Sequence, residues 1–195
     1  METIIVIGAF DLRTHDDLFY HLIFKKNYKA IFVEPIEIYY NQLLENVKKL
    51  SGECYCEKIA ISDKNDTIKL DYVNPEYLDL YPYYINGCSS AVENGAPLNT
   101  FLKEVPEEHR VSINVNTITF DQLCNKYNIK EIDYLQIDTE GYDERIVNTI
   151  DLDKYNIKKL KFETPYLSEN FVINLSNKYP NYKITHLECD VIFEL

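Results

Sequence analysis

Two carboxylates, Asp138 and Glu140, follow a short apolar run and precede Gly141. The run from Ile132 to Ile137 has the character of a buried strand, and the residues after Gly141 follow a helical pattern. A strand that carries carboxylates to its C-terminal end and then turns into a helix is the ligand-binding geometry of open α/β sheets. A positioned carboxylate can remove a hydroxyl proton, so Asp138 and Glu140 are the candidate catalytic residues. An ordinary strand and turn with a solvated acidic loop would show the same pattern, because Asp and Gly favour turns.

Two further acids, Glu34 and Glu163, end apolar runs of the same kind. Parallel strands end at one edge of a sheet, so we expect these acids to lie along that edge with Asp138. Glu34 ends the second run, where an Asp or Glu usually holds a nucleoside ribose. Its carboxylate can accept from both ribose hydroxyls, although a solvated strand end would look the same.

A single glycine, Gly8, stands in the loop after the first apolar run. A dinucleotide site needs the pattern G-x-G-x-x-G, because the backbone must approach a pyrophosphate. The loop therefore disfavours an NAD-linked oxidoreductase. A nucleoside without a pyrophosphate, such as S-adenosylmethionine, needs less glycine and is compatible with this loop.

Apolar runs alternate with helical patterns along the chain, which predicts an α/β fold with a mostly parallel sheet and helices on both faces. Residues 74–110 have no clear period, so we predict an irregular excursion with one short helix, a lid or a mobile segment. The last two strands are joined too tightly for a crossover and must be antiparallel. The other predicted strands are 3–8, 29–34, 53–61, 67–73, 111–118, 132–137 and 157–163, and the predicted helices are 15–26, 35–50, 119–127, 168–179 and one after Gly141.

The composition is that of a globular protein, with 27% charged and 46% hydrophobic residues in a chain of 195. The length predicts one domain over residues 1–195. The formal net charge of −12 argues against binding to nucleic acid or to an anionic membrane, both of which attract basic surfaces. No apolar run approaches the roughly 20 residues that span a bilayer.

The five cysteines include no C-x-x-C pair, which predicts free thiols in a reducing compartment. The N-terminal sequence METIIVIG has no basic region, so we predict no signal peptide and a cytoplasmic location. The four histidines share no spacing typical of metal ligands, and we predict no metal site.

The order of several short motifs resembles that of the FkbM family of S-adenosylmethionine-dependent methyltransferases. The resemblance covers nearly the whole chain, and its most specific motifs are VEP at 33–35, AISD at 60–63 and QIDTEG at 136–141. It implies a single-domain, Rossmann-like class I methyltransferase fold with a mostly parallel seven-stranded sheet and a C-terminal antiparallel hairpin. It also implies O-methylation of a hydroxyl group on a sugar, a glycan or another small metabolite.

The resemblance also assigns roles to residues. The first loop would line the methionine end of S-adenosylmethionine, Glu34 would hold the ribose, and residues 61–63 would border the adenine. Asp138 and Glu140 would face the transferred methyl group and the acceptor. The implied cofactor-binding residues are Gly8, Ala9, Phe10, Asp11, Glu34, Pro35, Ile61, Ser62, Asp63 and Asp138.

Two features of the excursion also bear on the site. Ser89 and Ser90 fall where the family has a similar Ser pair near the active site, although a polar turn after Gly87 would explain them equally well. Tyr81, Tyr83 and Tyr84 could stack on an acceptor, or could serve only in packing.

Two positions depart from the family pattern. Val6 stands where the family usually has an acid, and Leu12 stands where it has a second glycine. We expect the Leu12 side chain to displace the first loop and to weaken cofactor binding. Residues 74–110 or a second subunit would then close the site, and a homodimer would supply that subunit. The same departures leave open an alternative, a binding or scaffold protein that keeps the fold without catalysis.

Overall fold

The structure is a computed structural model that describes residues 1–14 and 16–195. The predicted start of the first helix at His15 lies outside the described residues. The strands are β1 (Glu2–Ile7), β2 (Tyr28–Val33), β3 (Glu53–Glu57), β4 (Ala60–Ile61), β5 (Thr67–Val73), β6 (Ser89–Glu93), β7 (Ala96–Pro97), β8 (Arg110–Ile118), β9 (Tyr134–Ile137), β10 (Lys159–Glu163), β11 (Lys183–His186) and β12 (Asp190–Glu194). The α-helices are α1 (Asp16–Phe24), α2 (Glu37–Val47), α3 (Thr100–Glu104), α4 (Phe120–Lys126), α5 (Asp143–Asn148) and α6 (Phe171–Lys178).

The central sheet has seven strands in the order β11-β12-β10-β9-β1-β2-β3. The pairs among β3, β2, β1, β9 and β10 are parallel, whereas β12 runs antiparallel to both β10 and β11. The sheet is therefore mixed, and the predicted antiparallel pair at the C-terminal end of the chain is confirmed. The parallel strands bring the C-terminal ends of β1, β2, β9 and β10 to one edge, as the sequence predicted.

The middle of this sheet is apolar on both faces because helices cover both sides. In β1, Ile5 and Ile7 belong to the larger core, whereas Ile4 and Val6 belong to a second core with residues of α1 and α2. The alternation follows from the two-residue repeat of a strand. Residues of β1 that project from opposite faces of the sheet therefore belong to different cores.

A second sheet, in the order β4-β8-β5-β6-β7, was not predicted. The predicted strand 53–61 is wrong as a single element, because it divides into β3 in the central sheet and β4 in the second sheet. The excursion 74–110 contains β6, β7 and α3, besides the short 3-10 helices Pro75–Leu80, Tyr83–Ile85 and Glu107–His109. The prediction that it is irregular with one short helix is therefore wrong in part.

Two predicted helix starts had different outcomes. Thr119 and Gln122 form the predicted capping box, in which each side chain bonds the other residue's backbone N–H. The predicted cap by Ser168 is wrong, because α6 begins after Asn170 and Ser168 instead donates hydrogen bonds to the carboxylate of Glu144. No helix within the described residues is long and apolar enough to cross a membrane.

Candidate functional site

A cavity of about 310 Å³ lies at the C-terminal edge of the central sheet. The ends of β1, β2 and β9 form one side of it, and residues of the second sheet, such as Ile61, Leu70 and Ala91, form the other. The second sheet therefore supplies the apolar wall that faces the strand ends. This wall explains why the segment between β3 and β9 is so long.

Gly8 allows the first loop to pass directly against the end of β9. Its φ angle is +77°, and a Cβ atom built on it would lie 1.7 Å from the backbone oxygen of Asp138. No other residue type fits at such a distance. The backbone N–H groups of Gly8 and Ala9 both donate to the carbonyl of Val33, which fixes the loop to the end of β2.

Glu34 joins the first loop to the start of α2. One oxygen of its carboxylate accepts from the backbone N–H of Phe10 at 2.9 Å, and the other accepts from the N–H of Ile36 at 2.8 Å. The residue is 3% exposed and lines the cavity. Because each carboxylate oxygen has two acceptor sites, both oxygens can still bond a ligand.

The cavity brings together about half of the residues that were predicted to bind a cofactor. Gly8, Phe10, Glu34, Pro35, Ile61 and Asp138 line it. Four predicted residues lie outside its lining: Ala9, Asp11, Ser62 and Asp63. For these four the structure shows other contacts, and their part in cofactor binding stays a prediction.

The contacts of these four residues lie behind or beside the cavity. Ala9 is fully buried in the core beside α1, and Asp11 accepts hydrogen bonds from the backbone and side chain of Thr14. Ser62 is buried, donates to the carboxylate of Asp63 and shares a 3.0 Å hydrogen bond with the hydroxyl of Tyr142, which lines the cavity.

Asp138, Glu140 and Glu163 converge at the acidic end of the site. One carboxylate oxygen from each lies within 4.8 Å of the others, so the three together could face a cation. The sequence predicted Asp138 and Glu140 as a pair, and the parallel pairing of β9 with β10 brings Glu163 beside them. The prediction of no metal site considered only histidine and cysteine spacing, which does not report on such a group of carboxylates.

Glu140 is held in place by residues of the excursion. Its oxygens accept from the thiol of Cys88 and from the side-chain amide of Asn99, and its carbonyl accepts from the hydroxyl of Ser90. Its φ angle of +54° is unusual for a residue other than glycine. Such a conformation is retained where surrounding contacts determine it, as they do here.

Sequence reasoning did not identify Cys88 or Asn99. Asn99 is fully buried, and its side-chain oxygen accepts from the N–H groups of Phe101 and Leu102 at the start of α3. Of the predicted serine pair, Ser89 lines the cavity, whereas Ser90 is buried. In the sequence, only the family resemblance pointed to this region, because a buried Asn that caps a five-residue helix has no distinctive sequence pattern.

The aromatic residues of the excursion separate in the structure. Tyr83 and Tyr84 line the cavity and are exposed, whereas Tyr81 forms a hydrogen bond with the ring of His109. Tyr84 also packs edge-on against Phe101. Two of the three tyrosines are therefore available to a ligand.

The acids of the site have raised pKa values. Burial raises the pKa of Glu34 to about 7, against the lowering effect of its two backbone hydrogen bonds. Burial, followed by the neighbouring charges of Asp138 and Glu140, raises the pKa of Glu163 to about 10. Burial and the charge of Glu140 likewise raise the pKa of Asp138 well above its ordinary value. Each group would gain from a nearby positive charge.

The departures at Val6 and Leu12 do not obstruct the cavity. Both side chains are fully buried in the core beside α1, and neither lines the cavity. Leu12 takes the left-handed conformation that a glycine would take, with a φ angle of +63°. The expectation that its side chain displaces the loop from a ligand is therefore wrong, because that side chain points into the core.

Similarity to a protein family covers the part of the chain that forms this site. The family model for the methyltransferase FkbM domain matches residues 7–179, which include the first loop, the second sheet, the acidic group and the helices around them. Neither a curated protein nor a solved structure gives a significant match to the chain. The family match covers most of the chain and contains every residue of the acidic group. The chain belongs to the FkbM methyltransferase family.

Proposed function

We propose that this protein transfers the methyl group of S-adenosylmethionine to a hydroxyl oxygen of a small molecule or glycan. The observation that carries the proposal is the charge of the cavity. Its described lining contains three acids, Glu34, Asp138 and Glu140, and no Lys, Arg or His. This lining suits a cationic, phosphate-free nucleoside and repels a phosphorylated one, since phosphates are bound by basic side chains and helix N-termini.

The residues of the cavity fit such a cofactor. Glu34 offers free acceptor sites at the end of β2, where a ribose would lie. Ile59, Ile61 and Ile68 form an apolar wall suited to a flat base. The acidic group at the other end would face the positive charges, and Rossmann-like architecture is consistent with this arrangement. S-adenosylmethionine, when bound, supplies an electrophilic methyl group on a sulfonium.

The reaction that we propose needs little covalent chemistry from the protein. The acceptor oxygen forms a bond to the methyl carbon in line with the breaking bond between carbon and sulfur, whose electrons return to sulfur. Asp138 would accept the hydroxyl proton in its ionised form, which burial and the charge of Glu140 disfavour but which the positive charge of the bound cofactor would favour. Positioning of the reactants supplies much of the rate.

Calorimetry tests the cofactor assignment directly. We expect S-adenosylmethionine and S-adenosylhomocysteine to bind to the purified protein, and NAD not to bind at the same concentrations. Binding of NAD without either methyl-transfer ligand would overturn the proposal. In a companion assay with radiolabelled S-adenosylmethionine and a panel of hydroxyl-bearing acceptors, we expect Asp138→Asn to bind cofactor but to transfer no methyl group.

A further inference from the structure

A second cleft, of about 830 Å³, lies on the face of the central sheet that carries α1. Its floor is formed by alternate residues of β9, β10 and β12, which project to the same side because strand side chains alternate. Lys161 pairs in register with Gln136 on one side and with Ile192 on the other. The neighbouring residues Leu160 and Phe162 project to the opposite side and belong to the core.

This cleft meets the cofactor cavity at Asp138, which lines both spaces. Glu140 lines only the cofactor cavity, and Glu163 lines only the cleft. The acidic group therefore stands between the two spaces, with one acid facing each. A molecule in the cleft would reach the donor methyl group from the side opposite the cofactor, as displacement in line with the sulfur requires.

Glu163 is the acid of this group that has a buried oxygen without a hydrogen-bond partner among the described residues. Its Oε2 atom is buried and forms no hydrogen bond with any described residue. A buried polar atom without a partner costs free energy, which a bound hydroxyl group would recover. Each oxygen of Glu140, by contrast, already accepts one hydrogen bond, from Cys88 and from Asn99.

The lining of the cleft indicates the charge of its ligand. Six acids, two lysines and His21 line it, and three of the acids are paired with lysines: Glu2 with Lys25, Asp133 with Lys158 and Asp190 with Lys161. Both lysines are paired, Lys161 with Asp190 at 2.9 Å and Lys159 with Glu194 at 3.3 Å. The remaining polar groups include the side chains of Tyr134 and Gln136. Carboxyl groups, amides and phenols accept hydrogen bonds from hydroxyl groups, whereas the described lining offers an anion no lysine that is not already paired.

We infer that this cleft binds the methyl acceptor, and that the acceptor is an uncharged or cationic molecule with several hydroxyl groups. Its reacting hydroxyl lies between Asp138 and Glu163, and the rest of it lies along β10 and β12. The inference that the ligand is the methyl acceptor rests on the proposed function. The binding of a polyhydroxylated molecule in the cleft does not depend on the proposed function and is tested separately.

Amide NMR spectra of the isotope-labelled protein test the inference, recorded with and without S-adenosylhomocysteine. The test compounds are methyl glucoside, glucosamine and glucuronate, which share a ring and differ in charge. We expect methyl glucoside or glucosamine to shift the amide signals of Gln136, Lys161 and Ile192, and glucuronate to shift them several-fold less. The absence of cleft shifts with all three compounds, or the largest shifts with glucuronate, would overturn the inference.

A matched pair of variants locates the binding. Ile192→Trp fills the floor of the cleft, whereas Ile173→Trp makes the same substitution at an exposed position of α6 outside the cleft lining. We expect Ile192→Trp to reduce the sugar-induced shifts at least fivefold and to leave the affinity for S-adenosylhomocysteine within twofold. Ile173→Trp should change neither. Equal sugar-induced shifts in the two variants would contradict the inference.

Failure of the proposed function and failure of the cleft assignment give different results. If S-adenosylhomocysteine does not bind but the sugars shift the cleft signals, the proposed function fails and the cleft remains a site for hydroxyl-rich molecules. If S-adenosylhomocysteine binds and the sugars shift only signals around Gly8 and Glu34, the cofactor site stands and the cleft assignment fails. The spectra of the unmodified protein decide this even if Ile192→Trp does not fold.

Discussion

The backbone of Gly8 packs against the backbone carbonyl of Asp138, so closely that a Cβ atom on Gly8 would lie 1.7 Å from that oxygen. This contact joins the loop after β1 to the end of β9, and the N–H of Asp138 donates to the carbonyl of Ile7 just before it. The same contact fixes the position of the Asp138 carboxylate beside the cavity. The first loop and the acidic group therefore form one structural unit.

Gly8→Ala should consequently destabilise the protein strongly, because both the backbone conformation and the carbonyl contact oppose a methyl group. We expect a loss of more than about 3 kcal/mol in the free energy of unfolding, measured by urea denaturation. Gly95→Ala is the matched control. Gly95 has a similar φ angle of +83° but no heavy atom within 4 Å of its built Cβ, so it should lose only about 1–2 kcal/mol. Equal losses in both variants would show that the contact with Asp138 does not matter.

Glu34→Gln should weaken cofactor binding and also the hydrogen bonding that holds the first loop to the start of α2. The amide keeps one acceptor oxygen, but its NH₂ group faces a backbone N–H, either that of Phe10 or that of Ile36. Loss of a charged acceptor for the ribose should lower affinity for S-adenosylmethionine by roughly tenfold to a hundredfold in calorimetry. Glu37→Gln, at an exposed residue nearby, should bind as the parent does. Unchanged affinity in Glu34→Gln, with the fold intact, would remove the ribose assignment.

Glu140 and Glu163 should respond differently to the same substitution. In Glu140→Gln the amide NH₂ must face either the thiol of Cys88 or the amide of Asn99, so we expect a loss of about 1–3 kcal/mol in urea unfolding at pH 7. Glu163→Gln should leave the stability nearly unchanged at that pH, because a neutral amide resembles the protonated acid. Glu104→Gln, at an exposed site, serves as the baseline. The prediction fails if Glu163→Gln is the less stable of the two.

The sequence predicted the central sheet because its strands and helices have strong, short periodic patterns. The capping box at Thr119 and the acidic edge followed from local residue types in the same way. The second sheet was missed because its pairs join distant residues, such as Leu70 with Ala91 and with Ile113. No local pattern encodes such pairing, and β6 and β7 have few residues each.

The side chains of the site were harder to predict than its backbone. A residue in a predicted loop can face the cavity or the core, and the sequence does not distinguish these directions when the period is broken. Ala9 and Leu12 were therefore expected near the cofactor, although both are buried in the core beside α1. Glu163 shows the opposite error, since it was recognised as a strand end but not as a site residue.

Leu12→Gly should destabilise the protein without improving cofactor binding. The side chain is fully buried, so its removal should cost about 2–5 kcal/mol, partly offset by about 1 kcal/mol because glycine accepts the φ angle of +63°. Leu12→Ala also leaves a cavity but keeps a residue with a Cβ atom at the positive φ angle, so it should be no more stable than Leu12→Gly. Calorimetry should show no tighter binding in either variant. Tighter binding by Leu12→Gly would instead support a loop compromised by the leucine.

The pH dependence of the free energy of unfolding should reveal the titration of the Glu34 carboxyl group. Burial raises the pKa of this carboxyl from 4.5 to about 7 in the folded protein, so between these values the folded state holds more protons than the unfolded state. The contribution of Glu34 to the free energy of unfolding is therefore fully present below about pH 4.5 and falls as the pH rises towards 7. For one group the slope reaches at most about 1.4 kcal/mol per pH unit.

The measurement is a series of urea unfolding curves from pH 5 to 8 for the parent and for Glu34→Gln. The glutamine cannot titrate, so the stability of the parent relative to the variant should decline as the pH rises to about 7 and level off above it. Asp143 has a pKa raised to about 6 by burial, but it is present in both proteins and cancels in the difference. Glu37→Gln should show no such trend, because Glu37 is exposed. A constant difference between parent and Glu34→Gln over this range would mean that the Glu34 carboxylate is ionised in the folded protein throughout. Its bonds to Phe10 and Ile36 would then outweigh the effect of burial.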